Sequence, residues 1–232
     1  MLSDFLIKEN WIKTPRIIKA FQTIRREDFL PQEFKESSQL NLAFPIGWGQ
    51  SISQPTMAAF MLEKLQAASG DKVLEIGTGC GWVTALLASI ISQPGNEQDV
   101  SIRTKKGRVY SLEAIPELKD LALKNIAPYG FIEGGLVEFT CSDGFRPYPL
   151  SDIRSDISKG FDKILASASS RDLPKVWKDQ LKIGGILVAP IGTSIWRITK
   201  IDENKFEEIE FPGFIFAPFS TLQQKLIRNQ KE

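Results

Sequence analysis

The stretch "VLEIGTGCGW", Val73 to Trp82, decides how the chain is read. Four apolar or carboxylate-bearing residues suited to a buried strand run into Gly77, Gly79 and Gly81, placed at every second position. The pattern "WVTALLASII" that follows is helical. Glycine at a strand-to-helix handover permits positive φ and lets a ligand approach the main chain closely. In an open parallel sheet, ligands bind beyond the carboxyl ends of the strands. The three glycines are therefore expected to line a ligand surface. A tight turn that is merely glycine-rich is the competing reading.

Working outward, strands and helices alternate. "TMAAFMLEKLQAA" reads as an amphipathic helix closed by Ser69-Gly70-Asp71, and "KVLEIG" as a strand. "GRVYSLEA" is a strand, "PELKDLALKNIAPYG" a helix with Pro116 in its first turn, and "GLVEFTCSDG" and "FDKILASAS" are strands. "DLPKVWKDQL" carries a helix or turn. "KIGGILVAPIG" and "SIWRITKIDENKFEEIEF" close the sheet with antiparallel strands. Upstream, "PRIIKAFQTI" and "RREDFLPQEF" are helical, broken at Pro31, and "FPIGWGQSISQP" is a Gly- and Pro-punctuated loop. This alternation predicts an α/β fold. It is Rossmann-like and doubly wound, with a mostly parallel seven-stranded sheet, helices on both faces and an N-terminal helical extension. One domain is expected over residues 1–232. Residues 1–70 form the extension, with a substrate loop at 44–55, and residues 71–232 the sheet core. The polar stretch 92–107 is a surface insertion.

Composition narrows the chemistry. The 232 residues carry 29 basic and 28 acidic side chains, a net charge of +1, so no global field draws the chain to nucleic acid or an anionic membrane. The cluster "RTKKGR" is the only local basic feature of note and reads as a solvated loop. No apolar run reaches the ~20 residues of a membrane span, and "MLSDFLIKENWIK" lacks the apolar block of a signal peptide. A cytoplasmic monomer is the expectation. The chain has no histidine, which removes Ser-His-Asp and Cys-His mechanisms and most zinc sites. Cys80 and Cys141 are not in a metal-type spacing and are expected as buried thiols, with no metal bound.

The glycine spacing distinguishes between ligands. A dinucleotide fold uses G-x-G-x-x-G with pyrophosphate on the helix N-terminus. Here "EIGTGCG" gives G-x-G-x-G beside Glu75, which suits a cationic ligand better than a pyrophosphate. The pattern resembles motif I of the class I S-adenosylmethionine methyltransferases. That resemblance implies S-adenosyl-L-methionine as cofactor, lying over Glu75, Gly77, Thr78, Gly79 and Gly81. A ribose wants a carboxylate at the next strand end, and "VYSLEA" places Glu113 there. A third strand end should recognise adenine, and "FTCSDGF" places Asp143 there, with the Gly144 N–H beside it. Glu75 has an alternative task, capping loop amides.

The segments "REDFLP", "PIGWGQSISQP", "SDGF", "FDKILASAS" and "QLKIGGILVAPIG" are similar, from about Pro15 to about Phe219, to the protein-L-isoaspartate O-methyltransferase family. The resemblance implies methyl transfer to the α-carboxylate of isoaspartyl residues in damaged proteins or peptides. It also implies that Ser53 is the active-site serine, orienting the substrate carboxylate. Gln50, Ser51, Ile52 and Gln54 would shape the substrate loop. Such a reaction suits a chain without histidine, because a carboxylate is already ionised at neutral pH and needs no general base. The chain departs from the family pattern at Gln39 and Asn41, where a tyrosine and an aspartate are usual, and in "ASASSRDLP", at Ser167, Ser169, Ser170 and Arg171. These departures motivate an alternative acceptor, a small-molecule acid. A non-catalytic cofactor-binding domain is the other alternative. A nicotinamide dehydrogenase is disfavoured by the glycine spacing, and Trp48 and Trp82 flank the expected pocket.

Overall fold

The structure, a computed structural model, describes residues 1–94, 107–148, 160–167 and 169–214. All but the two ends of the expected 92–107 insertion lie outside the described residues, as does most of "RTKKGR".

Seven strands form one sheet: β3 (Lys72–Ile76), β4 (Arg108–Glu113), β5 (Val137–Cys141), β6 (Phe161–Ala166), β7 (Leu181–Ile191), β8 (Ser194–Lys200) and β9 (Phe206–Pro212), in the order β5-β4-β3-β6-β7-β8-β9. The pairs β5/β4, β4/β3, β3/β6 and β6/β7 are parallel, and β7/β8 and β8/β9 are antiparallel. The mostly parallel seven-stranded expectation is borne out. Strand order reverses on either side of β3, so the carboxyl ends of β3, β4 and β6 flank a topological switch point.

The strands alternate their side chains between two cores. Val73, Val109, Val137, Leu165 and Val188 face one side. Leu74, Tyr110, Ile164, Leu187 and Trp177 occupy the other. On the first side, α4 (Trp82–Ser92) is apolar all round, and every residue from Trp82 to Ile91 is buried. Such a helix must be covered on its outer face as well as its inner one. The N-terminal helix α2 (Pro15–Thr23) supplies that cover: it packs on α4, Phe21 meets Trp82 edge-on at 5.9 Å, and α1 (Leu2–Lys8) packs on α2 in turn. Helix α3 (Pro55–Leu65) lies on β6, β7 and β8, while α5 (Pro116–Ile126) lies on β4 and β5. The short α6 (Lys175–Asp179) brings Trp177 to the second core.

Two expectations need correction. The segment read as a loop, "FPIGWGQSISQP", contains an antiparallel hairpin, β1 (Phe44–Gly47) and β2 (Gln50–Ile52), with Phe44 opposite Ile52 and Gly47 opposite Gln50. Its short strands are broken by Pro and Gly, which hides the alternation. The turn forms because Gly47, Trp48 and Gly49 all take positive φ, at 90°, 51° and 69°. Cys80 is buried as expected, but Cys141, at the end of edge strand β5, is exposed, and both thiols are free.

Candidate active site

The loop after β3 is tied down by its neighbour. The Gly77 and Thr78 N–H groups both donate to the Leu112 carbonyl of β4, at 2.9 and 3.1 Å. The Gly79 N–H donates to Glu113 Oε2 at 2.9 Å, and the Ile115 N–H to Glu113 Oε1 at 3.0 Å. Glu113 thus holds the ends of two adjacent strand loops together. A carboxylate oxygen can accept more than one hydrogen bond, and the Glu113 side chain lines a cleft.

That cleft encloses about 660 Å³ of space, its open mouth included. Its floor is Gly77, Thr78, Gly79 and Cys80, and one wall is Ala114, Ile115 and Leu118. The other wall is the run Gln50, Ser51, Ile52 and Ser53 from β2 and the turn after it. Trp82 and Val83 of α4 and Ser167 after β6 complete the lining. Burial pushes the Cys80 thiol up to about 12, so it stays protonated and is no nucleophile. Trp82 Nε1 is buried and has no hydrogen-bond partner among the described residues. A buried indole N–H normally has one.

Ser53 is positioned by a residue that the sequence did not single out. Arg26 is 2% exposed, and among the described residues its two terminal nitrogens donate only to main-chain carbonyls while Nε has no partner. Nη1 reaches Ser38 and Leu40, both at 3.2 Å, and Nη2 reaches Leu42 at 2.7 Å and Ser53 at 3.1 Å. The group lies over the rings of Phe44 and Trp82, 5.4 and 5.1 Å from their centroids. Burial lowers its pKa to about 10, which leaves it charged at neutral pH. One cation therefore ties the segment before β1 to the turn that carries Ser53.

The expected site residues do not all meet in the cleft. Glu75 is fully buried below the floor and does not line it. Its Oε2 accepts from Thr84 Oγ1 of α4 and, at 2.7 Å, from Ser111 Oγ of β4, while Oε1 has no partner among the described residues. Burial, opposed by those two hydroxyls, raises its pKa to about 7. Ser111 also shares a hydrogen bond with Thr78, so Glu75 supports the floor at one remove. Gly81 stands outside the lining too. It is the N-cap of α4 with φ +88°, and a Cβ there would come within 3.1 Å of Ala122 Cβ on α5. Its glycine serves the turn and the approach of two helices. Asp143 and Gly144 lie beyond the tip of β5, one strand past Glu113. Asp143 Oδ1 accepts from the Phe145 N–H at 3.0 Å, and the Gly144 carbonyl accepts from Trp177 Nε1 at 2.7 Å. Gln54 faces away from the cleft lining and donates to the Asn41 carbonyl at 3.0 Å.

The departures from the family pattern have structural tasks. Asn41 Oδ1 accepts from the Thr56 N–H at 3.1 Å, which caps the first turn of α3. Gln39 Oε1 accepts from the Leu2 N–H at 2.7 Å and anchors α1. Ser167 lines the cleft, its N–H bonded to the Ile76 carbonyl at 2.8 Å. Ser170 is buried and bonds the Asp172 carbonyl, whereas Arg171 is exposed. Trp48 is not part of the lining, and Trp82 belongs to both core and cleft wall.

Comparison with known proteins agrees with this arrangement. A chain from Staphylothermus marinus named protein-L-isoaspartate O-methyltransferase is 36% identical over 189 residues, covering 82% of this chain and 77% of its own. One from Dictyoglomus thermophilum with the same name is 36% identical over 223 residues, covering 92% and 87%. Among solved structures, a Plasmodium falciparum chain named for the same enzyme and solved with S-adenosyl-L-homocysteine superposes with a TM-score of 0.80 at 19% identity, over 94% of this chain and 96% of that one. The family model described as protein-L-isoaspartate(D-aspartate) O-methyltransferase matches residues 1–224, and the chain belongs to that family.

Proposed function

We propose that the chain is an S-adenosyl-L-methionine-dependent carboxyl methyltransferase acting on the α-carboxylate of L-isoaspartyl residues in damaged proteins or peptides. The observation that carries this reading is the cleft itself. A glycine floor, a ribose-ready carboxylate and the Ser53 turn converge at the switch point of a sheet whose family is defined by this reaction.

The residues present fit the cofactor. Gly77 and Gly79 leave a bare main-chain floor, and Glu113 presents its two carboxylate oxygens at the strand end where the ribose hydroxyls would lie. Asp143, at the next strand tip, would accept from the adenine amine. When bound, the cofactor supplies a methyl group on a sulfonium, activated for attack by an oxygen anion. The protein's own work is to hold the substrate carboxylate in line and to exclude water. Ser53 orients that carboxylate by a hydrogen bond, and Gln50, Ser51 and Ile52 form the wall along which the peptide lies. The nearby charge of Arg26 is spent on carbonyls, so it does not pair with the nucleophile and blunt it.

We also read the chain as one domain in which residues 1–70 cover the cofactor fold. It acts as a cytoplasmic monomer without nucleic-acid or membrane partners. The near-neutral charge supports this, and no helix among the described residues is long and apolar enough to cross a membrane. The test is methyl transfer from labelled S-adenosyl-L-methionine to an isoaspartyl peptide and to its normal aspartyl twin. Incorporation confined to the isoaspartyl peptide is expected. Equal silence on both rejects the reading, and transfer to a small-molecule acid alone would favour the alternative acceptor.

A further inference from the structure

The tip of the β1–β2 hairpin carries a feature that folding alone does not explain. Trp48 has φ +51° and Gly49 φ +69°, the pattern of a two-residue type I′ loop. That position favours Asn, Asp or Gly, and a bulky side chain there is strained. Strain of this kind is usually offset by packing. Trp48 is instead 49% exposed, and among the described residues no ring, cation or hydrogen-bond partner meets it. The hairpin next to it is open as well: a Cβ on Gly47 or Gly49 would meet nothing within 4 Å.

Two residues further on, the same chain becomes the cleft wall, from Gln50 to Ser53. At the opposite end of the hairpin, beside the Ser53 turn, a second apolar side chain is exposed. Leu42 is 54% exposed, yet its carbonyl shares Arg26 Nη2 with the carbonyl of Ser53, at 2.7 and 3.1 Å. Its main chain is thereby fixed against the Ser53 turn.

We infer that Trp48 and Leu42 stand at the two ends of the acceptor wall and bind large apolar side chains on either side of the isoaspartyl residue. This rests on the isoaspartyl reading above and names the substrate class within it. The pair flanks the wall that meets the substrate, and an exposed rigid aromatic is an effective anchor for a peptide side chain. The consequence is selective. Large apolar side chains are buried in intact proteins and exposed in unfolded ones, so the pair favours isoaspartyl residues in segments that have lost their packing.

The experiment compares two isoaspartyl peptides of equal length and charge, one with Leu and Phe beside the isoaspartyl residue and one with Ser and Asn there. With the unaltered protein, kcat/KM is expected to be about tenfold higher on the apolar peptide, through KM. Trp48→Asn suits the turn, so its melting temperature should hold or rise. Its preference should shrink to within about twofold, by a higher KM on the apolar peptide with kcat and S-adenosyl-L-homocysteine affinity kept. Leu42→Ser should reduce the preference in part, and Trp48→Phe should retain most of it. The inference is overturned if the unaltered protein treats both peptides alike. It is equally overturned if Trp48→Asn lowers the melting temperature and slows both peptides equally, the mark of a purely structural role. Transfer to neither peptide would overturn the isoaspartyl reading itself, and this inference with it.

Discussion

The Arg26 guanidinium donates to the Ser53 carbonyl at 3.1 Å across 27 positions of sequence, and among the described residues it bonds no carboxylate. Four carbonyls, those of Ser38, Leu40, Leu42 and Ser53, depend on this one group. Arg26→Met would fill much of the volume between Phe44 and Trp82 but leave those carbonyls without their donor. A buried polar group left unsatisfied costs about 1–3 kcal/mol. We expect a stability loss on the order of 3 kcal/mol in urea unfolding, together with a lower kcat at temperatures where the variant is folded. A fully active variant of unchanged stability would show that the Ser53 turn is held by other means.

Ser53→Ala separates binding from turnover. The cleft floor and Glu113 are untouched by this change, so affinity for S-adenosyl-L-homocysteine should stay nearly intact. Losing one hydrogen bond to a charged group, about 1.5–3 kcal/mol, corresponds to a fall in kcat of roughly tenfold to a hundredfold. Steady-state kinetics and calorimetry on the same variant decide it. A loss of cofactor affinity with normal turnover at saturation would reverse the assignment.

Glu75 makes stability depend on pH with a defined sign. Burial raises its folded-state pKa to about 7 from the ordinary carboxylate value of 4.5. Between those values the folded state binds more protons than the unfolded one. Stability from this group is therefore full below about pH 4.5 and is lost as pH rises through about 7. The window is worth on the order of 3 kcal/mol. Glu75→Gln keeps an acceptor for Thr84 and Ser111 but cannot ionise. Its urea midpoint should gain on that of the unaltered protein as pH climbs from 5 to 8, and parallel curves would contradict the burial argument.

Gly81→Ala tests the division of labour among the three glycines. The residue sits at φ +88° with Ala122 3.1 Å from an added Cβ, so the variant is strained both in its backbone and in its contact with α5. A loss of about 1–3 kcal/mol in stability is expected, with cofactor affinity altered far less than stability. A variant as stable as the parent, but unable to bind cofactor, would put Gly81 in the site after all.

Much of this was legible in the sequence because the signals were local. The apolar run into alternating glycines at Val73–Trp82 marks a strand, a turn and a buried helix by composition alone, and the acids at the ends of β4 and β5 follow from the same repeat. What was not legible depended on direction. Arg25 and Arg26 are adjacent and chemically identical, yet Arg25 is exposed and Arg26 is buried; only the packing of Phe44 and Trp82 decides between them. The inward aim of Glu75 is set by Thr84 and Ser111, on two other elements. The β1–β2 hairpin is hidden in the sequence because its register depends on positive φ at Trp48, a residue that propensity would not put there. Gly81 and Gly79 look alike in sequence, and only the proximity of α5 gives them different work.

The central claim is that a sulfonium nucleoside lies over the Gly77–Cys80 floor, with its ribose held by Glu113. Titration calorimetry with S-adenosyl-L-homocysteine tests it most directly, on the unaltered protein and on Glu113→Gln, whose fold is checked by its melting temperature. The account predicts saturable one-to-one binding that the substitution weakens about tenfold or more. No saturable heat from the unaltered protein, or equal affinity in a folded Glu113→Gln, would contradict it.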